Sequence, residues 1–296
     1  MPNPKANGGT HELQERYAKN IVALMRPEML IRNTFSRDYE GDPTSGAVKV
    51  PVRKDDVTVQ DYDVVNGADL TTSKTEYLTI LVDKFKAVNE LIDGYEADAV
   101  PDNLIAQRLE SAAFSLGSLY EADAIATLCK GTASQNSDCT AQNVYNNICK
   151  DISKIKRKGV KKSQMRVAIS NDTELLLLEN EKYSNSASQI GAELAREGVV
   201  GKINGVYVIC EELGNKEVVT GTGAEAVTSK YEIEYIVYAT PWCQAIDEWS
   251  VLPAVKDLND GKHIGASALQ GRQVYTDALT DVNASIYKCK STVVSA

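Results

Sequence analysis

The chain has 296 residues, of which 43% are hydrophobic, and a formal net charge of −9 at pH 7. This length and composition suffice for one large or two modest hydrophobic cores. The acidic balance excludes a general nucleic-acid-binding protein, because phosphate binding needs a positive footprint. Residues 150–166 are the exception, with eight basic residues and one acidic residue, which gives a local charge of +7. A solvated helix end, with cations that complement the helix dipole, is the simplest interpretation of this cluster.

The sequence gives little support for metal or disulfide chemistry. The six cysteines include no C-x-x-C pair, and the two histidines lie near opposite ends of the chain. The ligand spacing of a structural zinc site is therefore missing. The apolar run near the N terminus is short and ends at Arg26 and Pro27, so we expect neither a signal peptide nor a membrane span. We expect a chain made in a reducing cytoplasm, with cysteines that are mostly small buried apolar residues.

Residues 1–46 are predicted to form an N-terminal arm. The first ten residues are rich in Pro, Asn and Gly and cannot pack by themselves. A short amphipathic helix follows, with Leu13, Tyr17 and Ile21 at intervals of four residues, and the proline at position 27 ends it. These three apolar residues are candidate contacts with other subunits.

Residues 47–84 are predicted to form a long, charged β-hairpin. Valines alternate at 48, 50 and 52, and the alternation continues through residues 57–64. Asn66-Gly67 predicts a two-residue turn, because both central positions of a type I′ turn need positive φ. An isolated hairpin is marginally stable in water and needs a partner surface. Its charged and turn residues are therefore candidate assembly contacts: Arg53, Lys54, Asp55, Asp56, Asn66, Gly67 and Lys74.

A long amphipathic helix is predicted from Pro101 to Lys130, since proline is favoured at the first helical position and apolar residues recur every three or four positions. At ~1.5 Å per residue it would be about 45 Å long, a stiff spine packed on a sheet. A mixed α/β region follows. We predict helices at 144–159 and 172–181, strands at 165–169 and 231–239, a hairpin near 201–213, a loop at 214–230 and a hairpin or strand pair at 271–290.

One cofactor pattern occurs in the sequence, Gly221-x-Gly223-x-x-Ala226, a nominal dinucleotide-binding fingerprint. The fingerprint requires a full helix after the glycines. Strand-like residues resume at Tyr231, which leaves no room for that helix, so we interpret the pattern as a loop.

Catalytic patterns are equally weak. Ser153 and Lys156 match S-x-x-K inside a basic helix, without the companion motifs of that enzyme class. A cysteine nucleophile would need a histidine base, yet His11 lies in the arm and His263 in a glycine-flanked loop. The acidic clusters show no apolar pocket pattern that would raise a carboxylate pKa. We predict no catalytic residue, cofactor or metal.

The order of these segments resembles that of the major capsid proteins of tailed bacteriophages, the Hong Kong 97 type fold, over nearly the whole chain. The segments that carry it are VKVPVR, EYLTILVDK, LIDGYEADAVPDN and LIAQRLESAAFSLGSLYEADAIATLCK. The resemblance implies an α+β capsid fold. Its parts would be residues 1–46 as N-terminal arm, 47–84 as extended loop, 85–139 and 262–296 as peripheral domain with the spine helix, and 140–261 as axial domain.

The resemblance also implies a function without an active site. The chain would assemble with copies of itself, as pentamers and hexamers, into an icosahedral shell around double-stranded DNA, which it would not bind sequence-specifically. Scaffolding, portal and decoration proteins would be further partners. The protein would not bind a membrane. The location would be the virion capsid, and the host cytoplasm during assembly. Some relatives form a covalent bond from a lysine of the extended loop, but no local context identifies such a residue among Lys49, Lys54 and Lys74.

Two alternatives remain open from the sequence. An encapsulin-type nanocompartment shell would have the same fold, with cargo enzymes in place of DNA. A cytosolic α/β enzyme or binding domain with a regulatory hairpin would be a compact monomer or dimer with a concave polar pocket.

Overall fold

The computed structural model of the chain describes residues 29–38, 46–53, 58–72, 75–92, 104–180, 183, 199–220, 227–258 and 266–293. These ranges contain three α-helices: α1 (Leu104–Leu128), α2 (Val144–Lys156) and α3 (Asn171–Leu178). They also contain twelve strands: β1 (Ala47–Arg53), β2 (Thr75–Leu81), β3 (Lys84–Ile92), β4 (Thr132–Ala133), β5 (Met165–Ile169), β6 (Val199–Ile203), β7 (Val206–Cys210), β8 (Asn215–Thr220), β9 (Val227–Ala239), β10 (Cys243–Asp257), β11 (Ser267–Leu279) and β12 (Ser285–Val293).

The described strands form three sheets. β1 and β2 make a two-stranded antiparallel ribbon, and a three-stranded sheet has the order β10-β11-β3. The largest sheet has seven strands. Six follow the order β4-β12-β9-β5-β7-β6, and the seventh, β8, pairs with the N-terminal half of β9. This sheet is mixed, since β5 runs parallel to β7 and antiparallel to β9. The result is an α+β architecture, as the sequence predicted.

The long helix α1 packs against both larger sheets. Its buried side chains recur every three or four positions from Leu109 to Leu128, because a 3.6-residue turn brings these positions to one face. The first half contacts Tyr275 of β11, and the second half contacts Tyr238 of β9. At ~1.5 Å per residue α1 spans about 37 Å. It therefore links the two sheets as the predicted spine.

Helix α2 and strand β5 of the seven-stranded sheet lie where the sequence pattern predicted them. α2 buries Val144, Ile148 and Ile152 against it, at the spacing of one helix face. α2 ends at Lys156, and Gly159 follows with a φ of 92°, the left-handed conformation expected after a helix C terminus. The strand predicted at 165–169 is β5, with the same bounds.

The two Asn-Gly dipeptides within the described residues, 66–67 and 204–205, differ in conformation. Asn204 and Gly205 both have positive φ, 51° and 81°, and make the tight turn between β6 and β7. At the other dipeptide only Gly67 has positive φ, and it pairs with Asp63 across a three-residue loop. Residues 58–62 form no strand. The predicted two-residue turn at 66–67, and the strand before it, are therefore wrong, because no paired strands flank that dipeptide.

Two other element predictions are wrong. Residues 215–220, expected in a loop, are strand β8, which pairs with β9 from Thr220↔Val227 to Asn215↔Glu232. The segment 271–290 lies in two strands, but the hairpin alternative is wrong, since β11 pairs with β10 and β3 whereas β12 pairs with β9 and β4. A short 3-10 turn at Val282–Ala284 redirects the chain from one sheet to the other. β10 and β11 pair across the expected boundary at 261/262. Strand pairing alone does not define domains, and the four-part division of the chain stays a prediction.

Candidate assembly surface

The β1–β2 ribbon packs on the three-stranded sheet through a small apolar cluster. Val48 pairs with Ile80, and both pack with Val82 against Ile246 of β10 and Val274 of β11. Val50 of β1 is buried in the same cluster, whereas residues 76–79 of β2 are exposed. A two-stranded antiparallel ribbon buries one of its faces when it packs on another surface, and it is marginally stable without such a surface.

The segment beyond the ribbon, residues 58–72, exposes large apolar side chains. Val59, Val64 and Leu70 are 93%, 89% and 102% exposed, and Tyr62 and Val65 are nearly as open. Single exposed apolar residues are ordinary on protein surfaces, but several within fifteen residues typically mark an interaction site. We call residues 58–72 the apolar tip.

The apolar tip has a specific internal structure. Asp63 and Gly67 exchange backbone hydrogen bonds, with N···O distances of 3.2 Å and 2.8 Å. The Asp63 carboxylate also accepts from the backbone N–H of Val65 at 2.7 Å and from the side chain of Asn66 at 3.1 Å. These bonds hold the pKa of Asp63 below its ordinary value. The loop is thus held by its own polar groups while Val64 and Val65 point to solvent.

The residues predicted as assembly contacts divide into three groups. Asn66 and Gly67 belong to the apolar tip, where they shape the turn. Arg53 is the last residue of β1, paired with Thr75. The others lie outside the described residues: Leu13, Tyr17, Ile21, Lys54, Asp55, Asp56 and Lys74.

The sequence analysis favoured charged residues of this segment and overlooked its exposed apolar ones. Part of the signal was present in the sequence, because Val65 and Leu70 lie in a strongly polar segment outside the alternation predicted for residues 57–64.

The segment 29–38, assigned to the arm by the sequence analysis, is part of the protein core. The side chain of Arg32 is fully buried. Its Nε donates to the Asp277 carboxylate at 2.9 Å, and its Nη1 donates to the Asp247 carboxylate at 3.0 Å. The guanidinium lies 4.9 Å from the ring centre of Tyr120 on α1 and 5.6 Å from that of Tyr275 on β11. Burial opposes the charge, but the two carboxylates outweigh it and raise the pKa of Arg32. We call Arg32, Asp247 and Asp277 the ionic anchor.

Glu121 of α1 ties the same segment down from the other side. Its carboxylate accepts from the backbone N–H groups of Ile31 at 2.6 Å and Arg32 at 3.1 Å. Burial raises the pKa of Glu121 to about 7, which the two N–H donors only partly counteract, and Glu211 adds to the rise. Glu121 lies outside the acidic clusters considered from the sequence, and tertiary packing supplies the buried environment that raises its pKa.

A cavity of about 700 Å³ lies between α1 and residues 211–217, and Glu121 and Cys129 are among the residues that line it. Burial raises the pKa of the Cys129 thiol to about 12, so the thiol is protonated at neutral pH and a poor nucleophile. Glu121 already binds backbone N–H groups. Neither of these two lining residues is therefore an activated nucleophile or a free base.

Metal and membrane features can be assessed only where the structure describes the chain. In those ranges, no three His, Cys, Asp or Glu side chains are grouped as metal ligands would be. The helices within the same ranges are too short or too polar to cross a bilayer.

Comparison with known proteins relates the chain to solved structures alone. No protein-family model and no curated protein sequence matches it. The mature capsid of bacteriophage PhiM1 is similar at a TM-score of 0.61 and 16% identity, covering 89% of this chain and 87% of that one. The capsid of cyanophage P-SCSP1u is similar at 0.62 and 10%, covering 87% and 86%. A virus-like particle from Pyrococcus furiosus gives 0.52 and 10%, covering 93% and 98%.

The similarity spans nearly the full length of these chains, so it concerns the whole fold and not a shared substructure. The protein has the capsid-protein fold that the resemblance implied.

Proposed function

We propose that this protein is the major capsid protein of a tailed bacteriophage, which assembles with copies of itself into an icosahedral shell enclosing double-stranded DNA. The observation that carries the proposal beyond the fold is the apolar tip. A set of large apolar side chains this exposed is costly in water and is stabilised when another surface covers it. The occupant we assign is a second copy of the chain.

The size of this contact fits assembly from many weak interactions. Burying one Val, Leu or Tyr side chain contributes roughly 1.5–3 kcal/mol. Four or five of them give about 6–15 kcal/mol, which the ~4–15 kcal/mol cost of immobilising one subunit on another largely offsets. A single contact is therefore marginal. A closed ring of five or six subunits makes every contact at once, which converts weak contacts into a stable shell.

The proposal includes partners and a location. Pentamers and hexamers would form through heterologous contacts between copies, and scaffolding, portal and decoration proteins would bind the assembled shell. The shell would form in the host cytoplasm and become the virion capsid.

Light scattering behind a sizing column tests self-assembly. We expect megadalton particles, or pentamers and hexamers that convert to them, from the 32.2 kDa chain. Tyr62→Ser, Val64→Ser and Leu70→Ser combined in one chain should stop assembly at small oligomers, because the apolar surface is lost while the fold is untouched.

The matched control replaces three exposed apolar residues elsewhere, Phe114→Ser, Leu175→Ser and Val282→Ser, each more than half exposed. It should assemble as the original chain does. Equal assembly of the tip variant would contradict the role of the tip. An original chain that stays monomeric at all concentrations and salts would contradict the shell and favour the enzyme or binding-domain alternative.

A second candidate is the nanocompartment shell with protein cargo that the sequence left open, because the same fold occurs in a virus-like particle from Pyrococcus furiosus. The ratio of absorbance at 260 and 280 nm of purified particles separates the two candidates. A nucleic-acid spectrum supports the virus shell, and a protein spectrum with co-purifying enzyme supports the nanocompartment.

A further inference from the structure

A dense group of cations surrounds the end of α2. Lys154 and Lys156 lie in its last turn, and Arg157, Lys158, Lys161 and Lys162 follow in the connection to β5. We call these six residues the basic face. All except Lys162 are exposed, and Lys162 is half-buried. The single acidic residue within residues 150–166 is Asp151. It is buried, and its carboxylate accepts a hydrogen bond from Lys154 Nζ at 2.7 Å.

The helix dipole explains only part of the basic face. Its favourable effect on cations is confined to about the last turn, which holds Lys154 and Lys156. Lys158 and Lys161 lie beyond it, and in the described part of the chain they have no carboxylate partner. Neighbouring like charges destabilise one another, so a cluster in which some cations have no carboxylate partner among the described residues, in a chain of net charge −9, indicates an anionic partner outside the subunit.

The cluster continues across the end of the sheet. Lys162 Nζ donates to Asn204 Oδ1 at 2.7 Å, which ties the connection to the β6–β7 turn. Beside it, Tyr207 of β7 pairs with Arg166 of β5 and Lys202 of β6 in register. The two cations lie 5.2 Å and 4.4 Å from the centre of the half-buried Tyr207 ring. Three strands thus hold a row of cations and one aromatic ring next to the basic face.

We propose that the basic face, with Arg166 and Lys202 beside it, binds the phosphate backbone of nucleic acid without reading its sequence. The identity of the polyanion rests on the proposed shell function, which places DNA next to the protein. The charge arrangement is independent of that function. Several cations on different elements match a chain of evenly spaced phosphates better than a single small anion, and an aromatic ring among cations is typical of nucleic-acid surfaces.

The test is fluorescence anisotropy of a labelled duplex DNA with the full-length protein at several salt concentrations. The probe variant is Lys156→Gln, Lys158→Gln and Lys161→Gln in one chain. The control is Lys49→Gln, Lys86→Gln and Lys256→Gln, three exposed lysines on other elements. Both variants lose three positive charges, so any difference between them reports the position of the charge.

We expect the slope of log K against log salt to fall by about 2–3 for the probe variant, at ~0.9 per lost phosphate contact, and by less than about 1 for the control. Equal losses in both variants, or no DNA binding by the original chain, would overturn the inference. If the probe variant binds DNA normally but no longer assembles, the basic face is instead a contact between copies, which also overturns it. Because binding is measured on unassembled subunits and assembly by light scattering, failure of the shell proposal is seen separately.

Discussion

Replacing Arg32 with leucine tests whether segment 29–38 is a structural part of the subunit. Arg32 is fully buried and bonds Asp277 at 2.9 Å and Asp247 at 3.0 Å, and the Asp277 side chain is itself completely buried. The variant leaves at least one carboxylate in the core without a counter-charge. Removing one partner of a buried ion pair costs about 3–5 kcal/mol, so we expect Arg32→Leu to lower the free energy of unfolding by that amount.

The assay is urea unfolding of unassembled subunits at pH 7.5, followed by tryptophan fluorescence, since Trp249 lies in the cluster that contains Tyr120 and Tyr275. Arg37→Leu is the matched control. Its side chain is 40% exposed and contacts the same Asp247 at 3.3 Å. An exposed ion pair contributes at most about 1 kcal/mol, so this variant should unfold nearly like the original chain.

The pH dependence sharpens the test. Burial raises the pKa of Asp277, and Arg32 opposes the rise. Without Arg32 the folded-state pKa rises further above the unfolded value, so stability is lost as pH increases through it. The deficit of Arg32→Leu should therefore be smaller at pH 5 than at pH 7.5. A loss below about 1 kcal/mol, equal to that of Arg37→Leu, would refute the ionic anchor as a stabilising element.

Two other predictions concern stability. The pKa of Glu121 is about 7 in the fold against an ordinary 4.5, a difference of about 2.5, or about 3 kcal/mol at 1.36 kcal/mol per pKa unit. A raised folded-state pKa gives stability that is present below pH 4.5 and is lost as the pH rises to about 7. The loss of unfolding free energy between pH 5 and pH 8 should therefore be smaller in Glu121→Gln than in the original chain. An unchanged pH profile would contradict this. A methyl group on Gly131 would overlap the hydroxyl and backbone carbonyl oxygen of Ser285, whereas Gly159, at φ 92°, has open space around it. We expect Gly131→Ala to cost about 3 kcal/mol or more and Gly159→Ala about 1–2 kcal/mol in thermal or urea unfolding, and the reverse order would show that the packing argument fails.

The tip and basic-face experiments separate two kinds of surface. The tip variant removes apolar area and should affect association between copies at every salt concentration. The basic-face variant removes charge and should act mainly at low salt, because exposed charges are screened within about 8–10 Å at 0.1–0.15 M ionic strength. A protein in which the two variants behave alike would need a different account of both surfaces.

The sequence predicted the elements whose signals are local. The apolar spacing of Val144, Ile148 and Ile152 gave α2, and the glycine at 159 gave its end. The run Met165–Ile169 gave β5 with the observed bounds. Helix periodicity and capping act within a few residues, so the nearest neighbours in the chain are enough to specify them.

The candidate site was predicted only as a region. The hairpin 47–84 was expected to reach a partner, but the charged residues favoured as contacts lie mostly outside the described residues, and the exposed apolar side chains of Val64 and Leu70 were not singled out. The pattern of the sequence shows which residues are apolar. It does not show that no part of the same chain covers them, because that depends on every other element.

Chain order and local pattern thus determined the α+β class, the long spine helix and the presence of an extended hairpin. Only the tertiary structure decided which sheet each strand joins, which of the two described Asn-Gly dipeptides forms a tight turn, and that Arg32 belongs to the core. Arg32 follows the apolar residues Met29, Leu30 and Ile31 and precedes polar ones, and nothing in this local pattern distinguishes it from a solvated arginine. It becomes buried here because Asp247 and Asp277, more than 200 residues away, supply the counter-charges, and a contact at that separation leaves no periodic trace in the sequence.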